Sequence, residues 1–240
     1  MDALGYVGMV MAERIKIADP TGCDERRLQT LNDHLSRGGT ALVPFNHPGT
    51  LDPVIVIRVL REWAGIPNPI VFPASQKFTS GRMGPLAQAA YARIQEEMNV
   101  EFVPLAQKND PEALKSIAGL RRLLAACTEP GTIIPIAIQG TRSPNYRDPL
   151  PPLHEINRYI GRLKEGLVVP MAIWGSEKIH TTGSGMRFNP FAVAGLRVCT
   201  PIASAELVAR TQNSIVTPVD LVFDEIIHTL DRTQPSYFTS

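Results

Sequence analysis

The sequence predicts an α/β fold: a mixed, largely parallel sheet covered by helices on both faces. Three observations carry this. Several short runs are apolar at every position, as in Ile133-Ile134-Pro135-Ile136-Ala137-Ile138, where a strand with one wet face would alternate. These runs alternate along the chain with longer stretches of helical spacing. Finally, a capping residue followed by proline marks helix starts at Asp52-Pro53, Asp110-Pro111 and Thr217-Pro218.

Taken in order, the predicted strands are Thr40–Phe45, Pro69–Ala74, Val100–Pro104, Thr132–Ile138, Leu167–Ile173 and Gly195–Thr200. The helix opening at Pro53 should stop at Gly65, and the one after Pro111 near Gly131, because glycine ends helices readily. The last helix has the clearest stripe: Val219, Val222, Phe223, Ile226, Ile227 and Leu230 recur at spacings of three and four. Residues 142–154 are the least regular, with prolines at 144, 149, 151 and 152. No internal repeat or linker divides the chain. We expect an N-terminal helical segment over 1–37 and one domain over 38–240.

Composition narrows the function. The chain has 240 residues and 44% hydrophobic content, enough for a large core without staples. Lys+Arg number 24 and Asp+Glu 23, for a net charge of +1, so no basic excess marks a nucleic-acid partner. Proline is high, 21 of 240 or about 9% against a usual ~5%. Cys23, Cys127 and Cys199 are widely spaced and read as free thiols in a reducing compartment. His34, His154, His180 and His228 stand alone, without the spacing of a metal site. No stretch reaches the ~18 apolar residues of a membrane span, and no basic segment precedes the apolar Leu4–Ala12, so we expect no signal peptide. That stretch, with Arg14 and Lys16 behind it, either lies at a membrane surface or packs on the domain.

The segment richest in chemistry is Val43-Pro44-Phe45-Asn46-His47-Pro48-Gly49-Thr50-Leu51-Asp52-Pro53. On a regular helix, positions five apart point about 140° from each other. A tight turn through Pro48-Gly49 instead folds the Asp52 carboxylate back onto the His47 imidazole. Such a pair suits base catalysis, the carboxylate fixing the tautomer and stabilising the imidazolium. The other reading has Asp52 only capping its helix and His47 as a polar strand-end residue. Two more strands end in glycine turns: Ile136-Ala137-Ile138-Gln139-Gly140-Thr141-Arg142-Ser143, and Leu167 to Gly175. Strand ends are where α/β proteins assemble sites. Arg142 offers either a planar fork for a phosphate or a structural ion pair.

In these segments the chain resembles the glycerol-phosphate and lysophosphatidate acyltransferases. Asn46, His47 and Asp52 match the family's Asn-His-x4-Asp signature. Gly140, Thr141, Arg142 and Ser143 match the third motif, Phe-Pro-Glu-Gly-Thr-Arg-Ser. Val169, Pro170, Ala172 and Ile173 match the fourth, and the likeness runs from about Gly38 to Gly175. The chain departs from the family at Gln139, where the motif has glutamate, at Ala137-Ile138, where it has Phe-Pro, in the second motif around Val100–Leu105, and in the hydrophobic N-terminal helices.

The resemblance implies transfer of a fatty acyl group from an acyl-CoA or acyl-carrier-protein thioester to a hydroxyl of a glycerol-phosphate or lysophospholipid-like acceptor. His47 would be the general base, oriented by Asp52. Asn46, Gln139, Gly140, Thr141, Arg142 and Pro170 would bind substrate, and Lys77 stands where a basic residue often follows the second strand. No metal or cofactor is implied. The chain would be cytoplasmic, or peripheral on the inner face of the membrane. Two other functions fit the same residues: a non-catalytic lipid- or acyl-binding protein, and a thioester hydrolase using water as acceptor.

Overall fold

Leu42, Val71, Ile134 and Ala172 face one hydrophobic core, while their strand neighbours Ala41, Val43, Ile70, Phe72, Ile133, Met171 and Ile173 face another. That is why the strands read as continuous apolar runs: both faces are covered. The computed structural model describes residues 16–18, 20–75, 92–105, 113–145, 148–163, 165–181, 187–189 and 191–233. The fold is α/β, a mixed and mostly parallel sheet flanked by helices.

The chain enters at β1 (Lys16–Ile17) and continues into helix α1 (Gly22–Ser36). Thr21 caps this helix in a full capping box with Asp24, and Leu28, Leu31 and Leu35 bury its inner face. Strand β2 (Ala41–Phe45) leads to α2 (Asp52–Arg58), which runs on as a π-helical turn, Val59–Trp63. Gly65, at φ 60°, ends it where the sequence predicts. Strands β3 (Ile70–Ser75) and β4 (Val100–Leu105) precede α3 (Ala113–Ala126) and β5 (Ile133–Ala137). Then follow α4 (Ile156–Arg162), β6 (Leu167–Val168), β7 (Met171–Trp174), a 3₁₀ turn (Ser176–Lys178), β8 (His180–Thr181) and β9 (Arg187–Phe188). The chain closes with β10 (Val193–Val198), β11 (Ile202–Ala203), α5 (Ser204–Thr211) and α6 (Pro218–Thr233).

The main sheet runs β1-β10-β7-β2-β5-β3-β4, with β6 also beside β2 and β11 beside β6. Strands β5, β6 and β7 all pair parallel with β2, and β3 pairs parallel with β4 and β5. The antiparallel pairs of this sheet are β10 with β7 and β11 with β6, and β8 and β9 pair antiparallel in a separate two-stranded sheet. Helix α1 and the α2 turn cover one face, and α3 to α6 contribute to the core on the other.

Two expectations change. The strand predicted over Leu167–Ile173 is split at Val169-Pro170 into β6 and β7. Proline has no N–H for the ladder. Val169 N–H still donates to the Leu42 carbonyl at 2.9 Å, and the Pro170 carbonyl accepts from Cys199 N–H at 2.8 Å, so the break is tied down on both sides. Asp52 is also not an N-cap: it is the first helical residue, and Leu51 stands at the cap position with no side-chain hydrogen bond. Thr217 stands just before Pro218, the first residue of α6, and its N–H and hydroxyl both donate to the Asp220 carboxylate at 2.8 and 2.7 Å.

Candidate active site

Parallel pairing brings the carboxyl ends of β2, β5 and β7 to one edge of the sheet, side by side. The loop after β2 carries Asn46 to Asp52, the loop after β5 carries Gln139 to Ser143, and the turn after β7 carries Ser176 and Glu177. The chain reverses direction at this place: from β2 it moves past β5 to β3, while β6 and β7 lie on the other side of β2. Such a switch point opens a crevice in α/β sheets.

His47 Nδ1 lies 2.8 Å from Asp52 Oδ2. Pro48-Gly49 turns the chain as anticipated, and Gly49 N–H donates to the same oxygen at 2.7 Å. The Asp52 side chain is fully buried, whereas 17% of the His47 side chain is exposed. Burial pushes the Asp52 carboxyl above the ordinary carboxylate range, against the opposing pull of His47, Ser176 and Gly49 N–H. Desolvation wins there because the side chain is fully buried.

The His47 backbone is pinned from the neighbouring loop. Its N–H donates to Gln139 Oε1 at 3.2 Å, and its carbonyl accepts from Ser143 N–H at 2.8 Å. Ser143 is itself fixed, its hydroxyl accepting from Leu150 N–H at 2.9 Å. Asn46 joins the other side: its amide accepts from Ile173 N–H at 2.7 Å and donates to the Ile173 carbonyl at 2.8 Å.

These contacts give several of the expected site residues a structural role. Asn46 and Gln139, both expected at the substrate, are only 3% and 4% exposed and hold backbone atoms of the site in place. Pro170 is buried at the break between β6 and β7, within the fold and away from any open surface. Gly140, Thr141 and Arg142 are exposed on the turn after β5. Arg142 Nη1 donates to Thr50 Oγ1 at 3.1 Å, which sets the guanidinium against the His47–Asp52 loop. Lys77 and the Leu4–Ala12 stretch lie outside the described residues.

The turn after β7 supplies residues that no motif marked. Gly175 adopts φ 76°, and a Cβ there would lie 2.6 Å from the Val193 carbonyl, so only glycine makes this exit comfortably. Ser176 is buried and packs directly on Gly49: a Cβ on Gly49 would stand 2.6 Å from the Ser176 carbonyl carbon and from its Oγ. Glu177 is half-buried, and burial, helped by the nearby Asp52 charge, raises its carboxyl pKa. Trp174 is half-buried beneath the Arg197 guanidinium, 5.7 Å from the ring centroid.

Cys127 and Cys199 are buried free thiols, and burial pushes both up to about 12. Among the described residues no three His, Cys, Asp or Glu side chains converge as metal ligands would. No helix among them is long and apolar enough to cross a membrane.

Fold and site together define a class: an α/β protein with a histidine–carboxylate pair at the switch point of its sheet. No protein-family model matches the chain.

Proposed function

We propose that this chain belongs with the glycerol-phosphate and lysophosphatidate acyltransferases and moves an acyl group from an acyl-CoA or acyl-carrier-protein thioester to a hydroxyl acceptor. The observation carrying this is the His47 Nδ1–Asp52 Oδ2 contact of 2.8 Å, built on a fully buried carboxylate. With Nδ1–H donating to Asp52, Nε2 is the nitrogen that takes a proton. It removes the acceptor hydroxyl's proton as the oxygen attacks the thioester carbonyl. The tetrahedral intermediate then expels the thiolate, which takes the proton back from His47. No covalent enzyme intermediate forms.

Arg142, held against Thr50 at the mouth of the same loop, binds a phosphate on the acceptor through its planar fork. Asn46 and Gln139 position the base. On this reading the chain works in the cytoplasm and meets a lipid-like acceptor at the inner face of the membrane.

Purified protein incubated with acyl-CoA and a panel of acceptors, with free thiol followed, tests the proposal. Thiol release that depends on acceptor is the expected result. Release without acceptor makes the chain a hydrolase, and no release with any pair makes it a binding module.

A further inference from the structure

Two polar atoms next to the base are buried without a hydrogen bond: Asp52 Oδ1 and Ser176 Oγ. Both residues pack against Gly49. Gly49 N–H touches Asp52 Oδ2 at 2.7 Å, and a Cβ on the same glycine would lie 2.6 Å from Ser176 Oγ. One atom can only accept and the other can donate. We propose that Ser176 is a positioning residue of the His47–Asp52 pair, its hydroxyl donating to Asp52 Oδ1. This rests on the reading of His47 as a base.

Neither atom is engaged elsewhere, so turning the Ser176 hydroxyl toward Asp52 breaks no existing hydrogen bond. It gives the carboxylate a donor on each oxygen: His47 and Gly49 N–H on Oδ2, Ser176 on Oδ1. A carboxylate without water needs such donors to stay ionised, and hydrogen bonds in catalytic groups often close only when the site is in use. Ser176 also acts in the matching direction on Asp52, lowering its pKa against the effect of burial.

The charged groups around Asp52 are His47 from its own loop and Glu177 from the 3₁₀ turn. Lys178 offsets Glu177, and Arg142 reaches Thr50 from the loop after β5. The Asp52 charge raises the pKa of Glu177, and Ser176 is the group on this turn that favours ionisation of Asp52.

Ser176→Ala tests this. The expected result is a fall in kcat of about 10–100-fold, the range for a hydrogen bond to a charged group, with KM unchanged. With that donor gone the Asp52 carboxylate draws harder on its remaining donors, and the His47 Nδ1–H resonance, followed by NMR, moves downfield. The acidic limb of kcat/KM moves up, because the charged form of Asp52 has lost a hydrogen bond. A merely structural serine would lower Tm and leave the Nδ1–H resonance in place, and that result overturns the inference. The NMR measurement needs no turnover. If every acceptor fails, acyl transfer falls on its own, and the Nδ1–H resonance still decides the role of Ser176.

Discussion

A histidine stands near each end of β2, and their surroundings differ in kind. At the amino end, His34 in the last turn of α1 has Nε2 3.2 Å from the Thr40 carbonyl. Its neighbours are satisfied locally: Gly39 N–H donates to the His34 carbonyl and the Thr40 hydroxyl to the Glu129 carbonyl, both at 3.0 Å. At the carboxyl end, His47 faces a buried acid whose second oxygen has no partner. A cavity of about 530 Å³ lies at the His34 end, lined also by Arg37, Thr128, Pro130 and Glu165. The buried charge partner marks the candidate site.

The contrast breaks most sharply by mutation of the two histidines. His47→Ala should cut acceptor-dependent thiol release by about 10²–10⁴-fold while circular dichroism shows the fold intact. His34→Ala should leave the rate at the wild-type level and lower stability in urea by about 1 kcal/mol, the worth of one ordinary hydrogen bond. Similar rate losses in both variants would erase the distinction.

Arg142→Lys sharpens the same end. KM for a phosphate-bearing acceptor should rise by about tenfold with Tm unchanged, since the fork is lost and the charge kept. An unchanged KM would leave Arg142 as a strut on Thr50.

The glycines flanking β2 make a finer pair. A Cβ at Gly49 meets the Ser176 backbone, which cannot yield without moving the 3₁₀ turn, whereas one at Gly39 meets the His34 ring, a movable group. Gly49→Ala should cost about 1–3 kcal/mol and reduce turnover. Gly39→Ala should cost about 1 kcal/mol through the displaced His34 contact, with turnover unaffected. Thermal melts and initial rates on the two proteins decide it.

The smallest expected effect is on the pH dependence of stability. Asp52 has a raised pKa in the fold, so its contribution is fully present below the unfolded pKa and is lost as pH rises through the folded one. Wild type should therefore lose stability relative to Asp52→Asn as pH climbs above the usual carboxylate range. Urea midpoints measured across pH give the difference, and a pH-independent difference would count against the burial account.

The sheet was legible because its signal is local. Five of the six apolar runs became single strands and the sixth two, and Gly65 and Thr217 stand at helix ends where the sequence places them. The His47–Asp52 contact was legible too, since five residues and a Pro-Gly turn are enough to bring the two together. The roles of Asn46 and Gln139 were not. Their partners lie 127 and 92 residues away, and nothing in a local pattern distinguishes an amide facing substrate from one facing a distant peptide group. Ser176 was invisible for a related reason: a serine after a strand-end glycine is commonplace until Gly49 is packed against it. The capping role assigned to Asp52 failed because its side chain had a second suitor, the His47 ring, and Asp52 itself became the first residue of the helix.

The pinning of His47 has a kinetic consequence. Loop amides ordinarily exchange their hydrogens with solvent within moments, through fluctuations that cost little. The His47 amide is held by a buried side chain from the neighbouring loop, and the Gly49 amide by a buried carboxylate. Neither can meet water unless Gln139 or Asp52 leaves the interior. In deuterium oxide both should retain their protons as long as the amides of β2 and β5 do, so that the base opens to solvent only when the sheet beneath it does.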